Sequence, residues 1–278
     1  MSRAEAIVAL MTQDPQQADV QLVQTRFKLQ LADQWQIPPG SRVLEIGCGQ
    51  GDMTAVLADA VGPRGRVVAV DIADPAYGAP VTLGESARRL LDSPLGPRIE
   101  FHFQLDVLAP SVAFEAGAFD YVVLTHSSWY FGSVAQLAGV LRRVRPWAKR
   151  LCFSEWSMTP GRIEQVAHML AVLIQGQLEA FKTASDANIR TPLSRPALMR
   201  LLHETGWTPV READLQAPDL QDAGWEIDHC LSTVFEEVRD LNLPPRLVPL
   251  LISQLDMLAQ MIAQHPIQSL DSYAVVAE

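Results

Sequence analysis

Residues 43–52 read VLEIGCGQGD: an apolar run carrying Glu45, glycines at 47, 49 and 51, and then Asp52. An apolar run that breaks into closely spaced glycines is a buried strand entering a turn that a ligand can approach closely. A nucleotide is the obvious candidate, and the spacing tests it. In the dinucleotide fingerprint G-x-G-x-x-G the third glycine lets the following helix pack on the strand. Here the third glycine comes one position early, and Asp52 stands in its place. A carboxylate there repels a pyrophosphate at the helix N-terminus. The turn suits a ligand with positive charge and no phosphate.

Working outward, strand and helix alternate. RVLEI (42–46) is the first strand, followed by a helical pattern over 50–61 that ends at Gly62-Pro63. RVVAVDI (66–72) is the second strand, with Asp71 at its end. Thr82 and Glu85 form a capping box that opens a helix through Leu91. RIEFHFQLD (98–106), FDYVVLTHS (119–127) and RLCFSEW (150–156) are the third to fifth strands, with a helix over 133–144 between the last two. Upstream, Asp14, Pro15 and Gln17 have the form of a helix cap, and Val20, Val23, Phe27 and Leu31 recur at helical spacing. This rhythm predicts an α/β fold, a doubly wound parallel sheet that binds ligands at the carboxyl ends of its strands. Glu45 with its glycines, Asp71, Asp106 and His126 each follow a strand and should converge there.

After residue 157 the rhythm changes. A helix with Ile163, Val166, Leu170, Leu173, Leu178 and Phe181 on one face spans 160–185. LSRPALMRLLHETGW (193–207) leads into a strand near 209–214, two helices follow at 226–241 and 246–264, and SYAVVA (272–277) is a last strand. The expected organisation is one domain over 1–278, with N-terminal helices in 1–39 and helical insertions at 158–192 and 216–267. The stripe Val248, Leu251, Leu255, Leu258 and Ile262 offers a contact for a homodimer.

Charge and composition narrow the function. The 278 residues carry a net charge of −10, and the best basic cluster, RRVRPWAKR (142–150), reads as a solvated helix end. Nucleic acid is therefore a poor partner. Cys48, Cys152 and Cys230 are odd in number and show no metal-ligand spacing, and the six histidines are scattered, so no metal site is expected. No run approaches the ~18 consecutive apolar residues of a membrane span, and MSRAEAIVALMTQ (1–13) has too few apolar residues for a signal segment, so none is expected. These features lead to the expectation of a soluble cytoplasmic protein with no membrane partner.

S-adenosylmethionine is a ligand of the required kind, with a sulfonium, an ammonium and no phosphate. VLEIGCGQG, VVAVDI, FQLDVL and FDYVVLTHS resemble, in order, the successive motifs of class I S-adenosylmethionine-dependent methyltransferases. The resemblance covers 40–157 and returns at LMRLLHETGW and SYAVVA. It implies a Rossmann-like seven-stranded sheet of order 3-2-1-4-5-7-6, with the last strand antiparallel, and helical lid insertions. It also implies that Glu45, Gly47, Cys48, Gly49 and Gly51 line the methionine part of the cofactor. Asp71 would accept from the ribose hydroxyls and Ile72 would pack on the adenine. Asp106, with Val107 beside it, would take the adenine amino group, and Thr125 and His126 would lie under the sulfonium. Two departures stand out. The loop at 73–84 is long, and RPWAKR (145–150) replaces the usual proline-glycine-glycine turn.

The acceptor side carries Trp129, Tyr130, Phe131 and Trp156 near the mouth of the crevice, rings that suit a flat or cationic small molecule. The reading is methyl transfer to an oxygen or nitrogen of a metabolite, with alignment and water exclusion as the main catalytic means. Two alternatives stay open: a protein or RNA methyltransferase, or a cofactor-binding relative without methyl transfer. His126 is a candidate general base, since an ordinary imidazole titrates near 6.5. It could equally shape the pocket.

Overall fold

The computed structural model describes residues 1–11 and 18–278, so the expected cap at Asp14, Pro15 and Gln17 lies outside the described residues. The strands are β1 Arg42–Ile46, β2 Arg66–Val70, β3 Ile99–His102, β4 Phe119–Thr125, β5 Ala148–Trp156, β6 Pro209–Leu215 and β7 Ser272–Ala277. The helices are α1 Arg3–Val8, α2 Ala18–Trp35, α3 Asp52–Val61, α4 Leu83–Leu91, α5 Val134–Val144, α6 Val166–Glu179, α7 Arg195–Glu204, α8 Asp222–Asp240 and α9 Leu247–Gln264. They build one sheet of order β3-β2-β1-β4-β5-β7-β6, as the resemblance implies. β1 to β5 pair in parallel, and β7 runs antiparallel to both neighbours, β5 and β6.

The central strands are apolar without alternation because both faces are covered. Period two still sorts their side chains. Val43, Val67, Tyr121, Val123 and Cys152 join the core on one face with Phe27, Leu31 and Trp35 of α2 and much of α3. Leu44, Val122, Leu124, Leu151 and Phe153 join α5 and α7 on the other. Helix starts obey local chemistry. Thr82 and Glu85 close the expected capping box of α4, and Ser2 and Glu5 form another at α1.

The third strand is shorter than its sequence implies. Gln104 sits at φ 54, which turns the chain out of the ladder after His102. Its N–H then donates to Ala73 O at 3.0 Å, and that of Leu105 to Asp71 O at 3.0 Å. This stitching brings Asp71 and Asp106 to one edge.

The helical insertions leave from that same edge. Trp156 and Leu215 each pair with Ser272, so the chain departs after β5 and β6 and returns at β7 beside the carboxyl ends of the parallel strands. α6, α8 and α9 share a core of their own, including Ala171, Ile174, Leu178, Ile227, Cys230 and Val234. Leu251, Leu255 and Leu258 are fully buried in it, so the stripe expected at a dimer contact is spent inside the chain. α9 holds no run of 18 consecutive apolar residues, since Ser253, Gln254, Asp256, Gln260 and Gln264 interrupt it. Its 18 residues have a mean hydropathy of 1.3, long and apolar enough by composition to cross a membrane.

Candidate active site

The turn between β1 and α3 is left-handed three times, with Gly47 at φ 77, Gly49 at φ 51 and Gly51 at φ 87. The glycines differ in what they make room for. A Cβ on Gly51 would lie 2.8 Å from Leu90 Cδ1, and one on Gly47 would lie 3.0 Å from Ser127 Cβ. These two serve protein packing. A Cβ on Gly49 would meet nothing within 4 Å, so the space above it is open. That is the cradle.

Asp71 faces it from β2. One carboxylate oxygen accepts from Gly49 N at 2.8 Å and the other from Ala73 N at 2.9 Å. The bonds fix the carboxylate and leave each oxygen a further lone pair for a ligand hydroxyl. Next to it Ile72 is 64% exposed, an apolar shelf at the cleft. Asp106 accepts from Leu108 N at 2.8 Å, with Val107 buried beside it. The long loop after β2 folds back over the glycine turn, where Gln50 Nε2 donates to Val81 O at 2.9 Å.

Glu45 is buried and accepts a 2.6 Å bond from Thr54 Oγ1. Burial pushes its carboxyl up to about 8, and the charges of Asp52 and Asp71 add to the rise, while the Thr54 bond and Lys28 oppose it. Cys48 is buried too. Burial and the charges of Glu45 and Asp71 hold its thiol far above the usual range, so it offers no thiolate.

His126 has φ 45, and its N–H donates to Ser154 O at 3.0 Å. Its Nε2 lies 2.8 Å from Ser272 Oγ, whose one hydrogen goes to Glu155 O at 3.0 Å. On this network Nε2 carries the proton and Nδ1 keeps its lone pair. The ring stacks on Trp156 at 4.6 Å and on Phe27 at 5.7 Å. Burial, helped by the Lys28 charge, drives its pKa down to about 3. The ordinary imidazole pKa expected from the sequence does not survive this packing. Thr125, just before it, has a buried Oγ1 with no hydrogen-bond partner among the described residues.

On the acceptor side the aromatic residues separate. Trp129 is a core residue, and Trp156 is buried in the His126 stack. Tyr130 is 45% exposed. Its hydroxyl is held well above the usual tyrosine range by burial and then by Glu226, Glu155 and Asp222, with Tyr77 adding. Buried Glu155 braces the turn that carries these rings. It accepts from Ser128 Oγ at 2.7 Å, Ser128 N at 3.1 Å and Trp156 N at 3.0 Å. Burial pushes it up to about 7 against those bonds.

Sequence reasoning missed the polar face of α2. Gln21 Nε2 donates to Asp52 Oδ1 at 3.1 Å, Lys28 Nζ donates to Gln24 Oε1 at 3.1 Å, and Gln24 Nε2 donates to Asp222 Oδ2 at 3.0 Å. Their i, i+3, i+7 spacing within an apolar helix was the available signal.

Residues 17–212 match the methyltransferase domain family. The chain belongs to the class I S-adenosylmethionine-dependent methyltransferases. A cyclopropane-fatty-acyl-phospholipid synthase-like protein from Lactobacillus casei ATCC 334 superposes with a TM-score of 0.88 at 35% identity, over 99% of this chain and 98% of that one. Methyltransferase phomM' of Diaporthe leptostromiformis is 29% identical over 250 residues, 75% of this chain. The chain spans 64% of that relative's length. Nocamycin O-methyltransferase of Saccharothrix syringae is 29% identical over 219 residues, 72% of each chain.

The residues fit the methyltransferase cofactor. The open cradle at Gly49, the fixed Asp71 carboxylate and the exposed Ile72 suit an adenosine without phosphate. The carboxylates of Glu45, Asp52 and Asp71 suit its cationic end.

Proposed function

We propose that the chain transfers the methyl group of S-adenosylmethionine to an oxygen or nitrogen of a small-molecule acceptor. The observation that carries this reading is the placement of the α6, α8 and α9 cluster. It grows from the same sheet edge as the Gly49 cradle and is tied to α2 by the Gln24 Nε2–Asp222 Oδ2 bond. A helical cover over a cofactor cleft encloses an acceptor of limited size and excludes water.

The cofactor supplies an already activated methyl carbon. Asp71 holds the ribose hydroxyls, Ile72 and Val107 grip the adenine, and Asp106 takes its amino group. Glu45, Cys48 and Gly49 line the methionine end, and Gly47 and Gly51, packed against Ser127 and Leu90, hold the backbone turn that contains it. Thr125 and His126 close the floor beneath the reacting atoms. With its pKa driven down to about 3, His126 is a weak proton acceptor, so it serves as an aromatic wall and rate comes from alignment. The cytoplasm is the compartment in this reading, in keeping with three buried, unpaired cysteines.

Incubation with methyl-labelled S-adenosylmethionine and a metabolite extract tests the reading. Label should appear in the small-molecule fraction. Label confined to protein or RNA would contradict it.

A further inference from the structure

We propose that His168 of α6 binds the acceptor, donating its Nε2 hydrogen to a carbonyl oxygen beside the atom that is methylated. This rests on the proposed methyl transfer to a small molecule. The two faces of α6 are used differently. Ala167, Ala171, Ile174 and Leu178 pack in the core shared with α8 and α9. His168 and Val172 lie one turn apart on another face, where Val172 joins the core of the sheet with Trp129 and Trp156. The ring of His168 makes a T-shaped contact with Trp156 at 5.6 Å, and Trp156 stacks on His126 at 4.6 Å. His168 thus reaches from the helical cover to within two ring contacts of the floor at His126.

One edge of that ring is committed and the other is not. Nδ1 accepts from Leu270 N at 2.9 Å, so the proton sits on Nε2. Nε2 points away from Leu270 and has no hydrogen-bond partner among the described residues. The polar side chains beside Leu270 are paired with their own neighbours. Gln165 bonds Gly161 N and Ser269 O, and Ser269 Oγ bonds Leu220 O and Ala223 N. The residue is 1% exposed, and a buried N–H left unpaired is costly. A ligand oxygen removes that cost.

The chemistry of the donor selects the oxygen. Burial drives the His168 pKa down to about 4, so the N–H is neutral at working pH. Further along the same helix, Gln175 Nε2 binds the Glu226 carboxylate at 3.1 Å. An anionic oxygen would meet that acid, which favours an uncharged carbonyl. A hydrogen bond to the nucleophile itself would tie up the lone pair that attacks the methyl carbon. The bonded oxygen is therefore a neighbour of the methylated atom, and His168 acts by orienting it.

Two variants of the full chain separate the ring's two edges. His168→Asn keeps an acceptor for Leu270 N and loses the Nε2 donor. His168→Gln can place an N–H where Nε2 stands and loses the Nδ1 acceptor. Each is melted thermally and then assayed for label transfer from methyl-labelled S-adenosylmethionine to the small molecules of a metabolite extract, over dilutions of that extract. His168→Asn should melt near wild type and need about tenfold more extract for half-maximal transfer, the scale of a lost hydrogen bond. His168→Gln should melt lower and yet keep its half-maximal extract within about threefold of wild type. An unchanged half-maximal extract in His168→Asn would overturn the proposal. Equal loss in both variants would also overturn it, because His168 would then act only by placing α6. A wild-type chain that labels no small molecule would instead sink the functional reading beneath it.

Discussion

The two halves of the site are built by different physics. The cofactor half consists of backbone features at strand ends: left-handed glycines, a carboxylate pinned by two N–H groups, an exposed isoleucine. The acceptor half consists of side chains on helices brought together from distant parts of the chain, as in the Gln24–Asp222 bond across 198 residues. Local geometry leaves a mark in local sequence, and long-range packing does not. The cofactor half should therefore behave as a rigid part of the sheet, and the acceptor half as a separable layer with its own core.

The largest effect should break the layer alone. Leu255→Ala empties a fully buried position in the α6, α8 and α9 core and should cost about 2–5 kcal/mol of local stability. Hydrogen exchange should show lost protection in those three helices while β1, β2 and β4 keep theirs. Loss spread evenly over the sheet would merge the two halves into one cooperative unit.

Asp71→Ala should do the reverse. It removes the anchor of Gly49 and the proposed ribose acceptor, which should weaken S-adenosylhomocysteine by roughly 1–3 kcal/mol in calorimetry. Helix protection should not change.

Much of the cofactor half was legible because each residue answers a local demand. A positive φ at three alternate positions calls for glycine, and a strand-end acid at Asp71 marks the cleft. The Thr82 and Glu85 cap was equally readable. The acceptor half was not. Trp129 and Tyr130 are adjacent, yet one is core and the other half exposed, and only tertiary packing decides that. On α9, Leu251, Leu255 and Leu258 pack within the chain's own core, since periodicity reports that a face is buried and not by what. Lys28 escaped because a single lysine on a helix normally reads as surface.

Acidity separates the halves more gently. Glu45 and Glu155 have folded pKa values raised from 4.5 to about 8 and about 7, so the folded chain holds their protons more tightly than the unfolded chain does. Their contribution is complete below about pH 4.5 and is lost as pH rises through 7 and 8. Cofactor cations favour ionised Glu45, so affinity for S-adenosylmethionine should rise over that window. Glu45→Gln should flatten the rise. An unchanged slope in that variant would place its origin elsewhere.

His126 should show the smallest effect. With a pKa near 3 it is a weak base that stays unprotonated across the working range, so His126→Phe should keep kcat within about tenfold and the wild-type rate should not fall between pH 7 and 6. A loss of ~10²-fold, with a wild-type rate that drops through pH 6.5, would restore it as a general base.

The central claim is that the glycine turn with Glu45, Asp52 and Asp71 holds a cationic, phosphate-free adenosine cofactor. Calorimetric titration of the full chain with S-adenosylhomocysteine and, separately, with NAD tests it most directly. The account predicts saturable binding of S-adenosylhomocysteine at one site and no binding of NAD. Saturable NAD binding with no response to S-adenosylhomocysteine would contradict it.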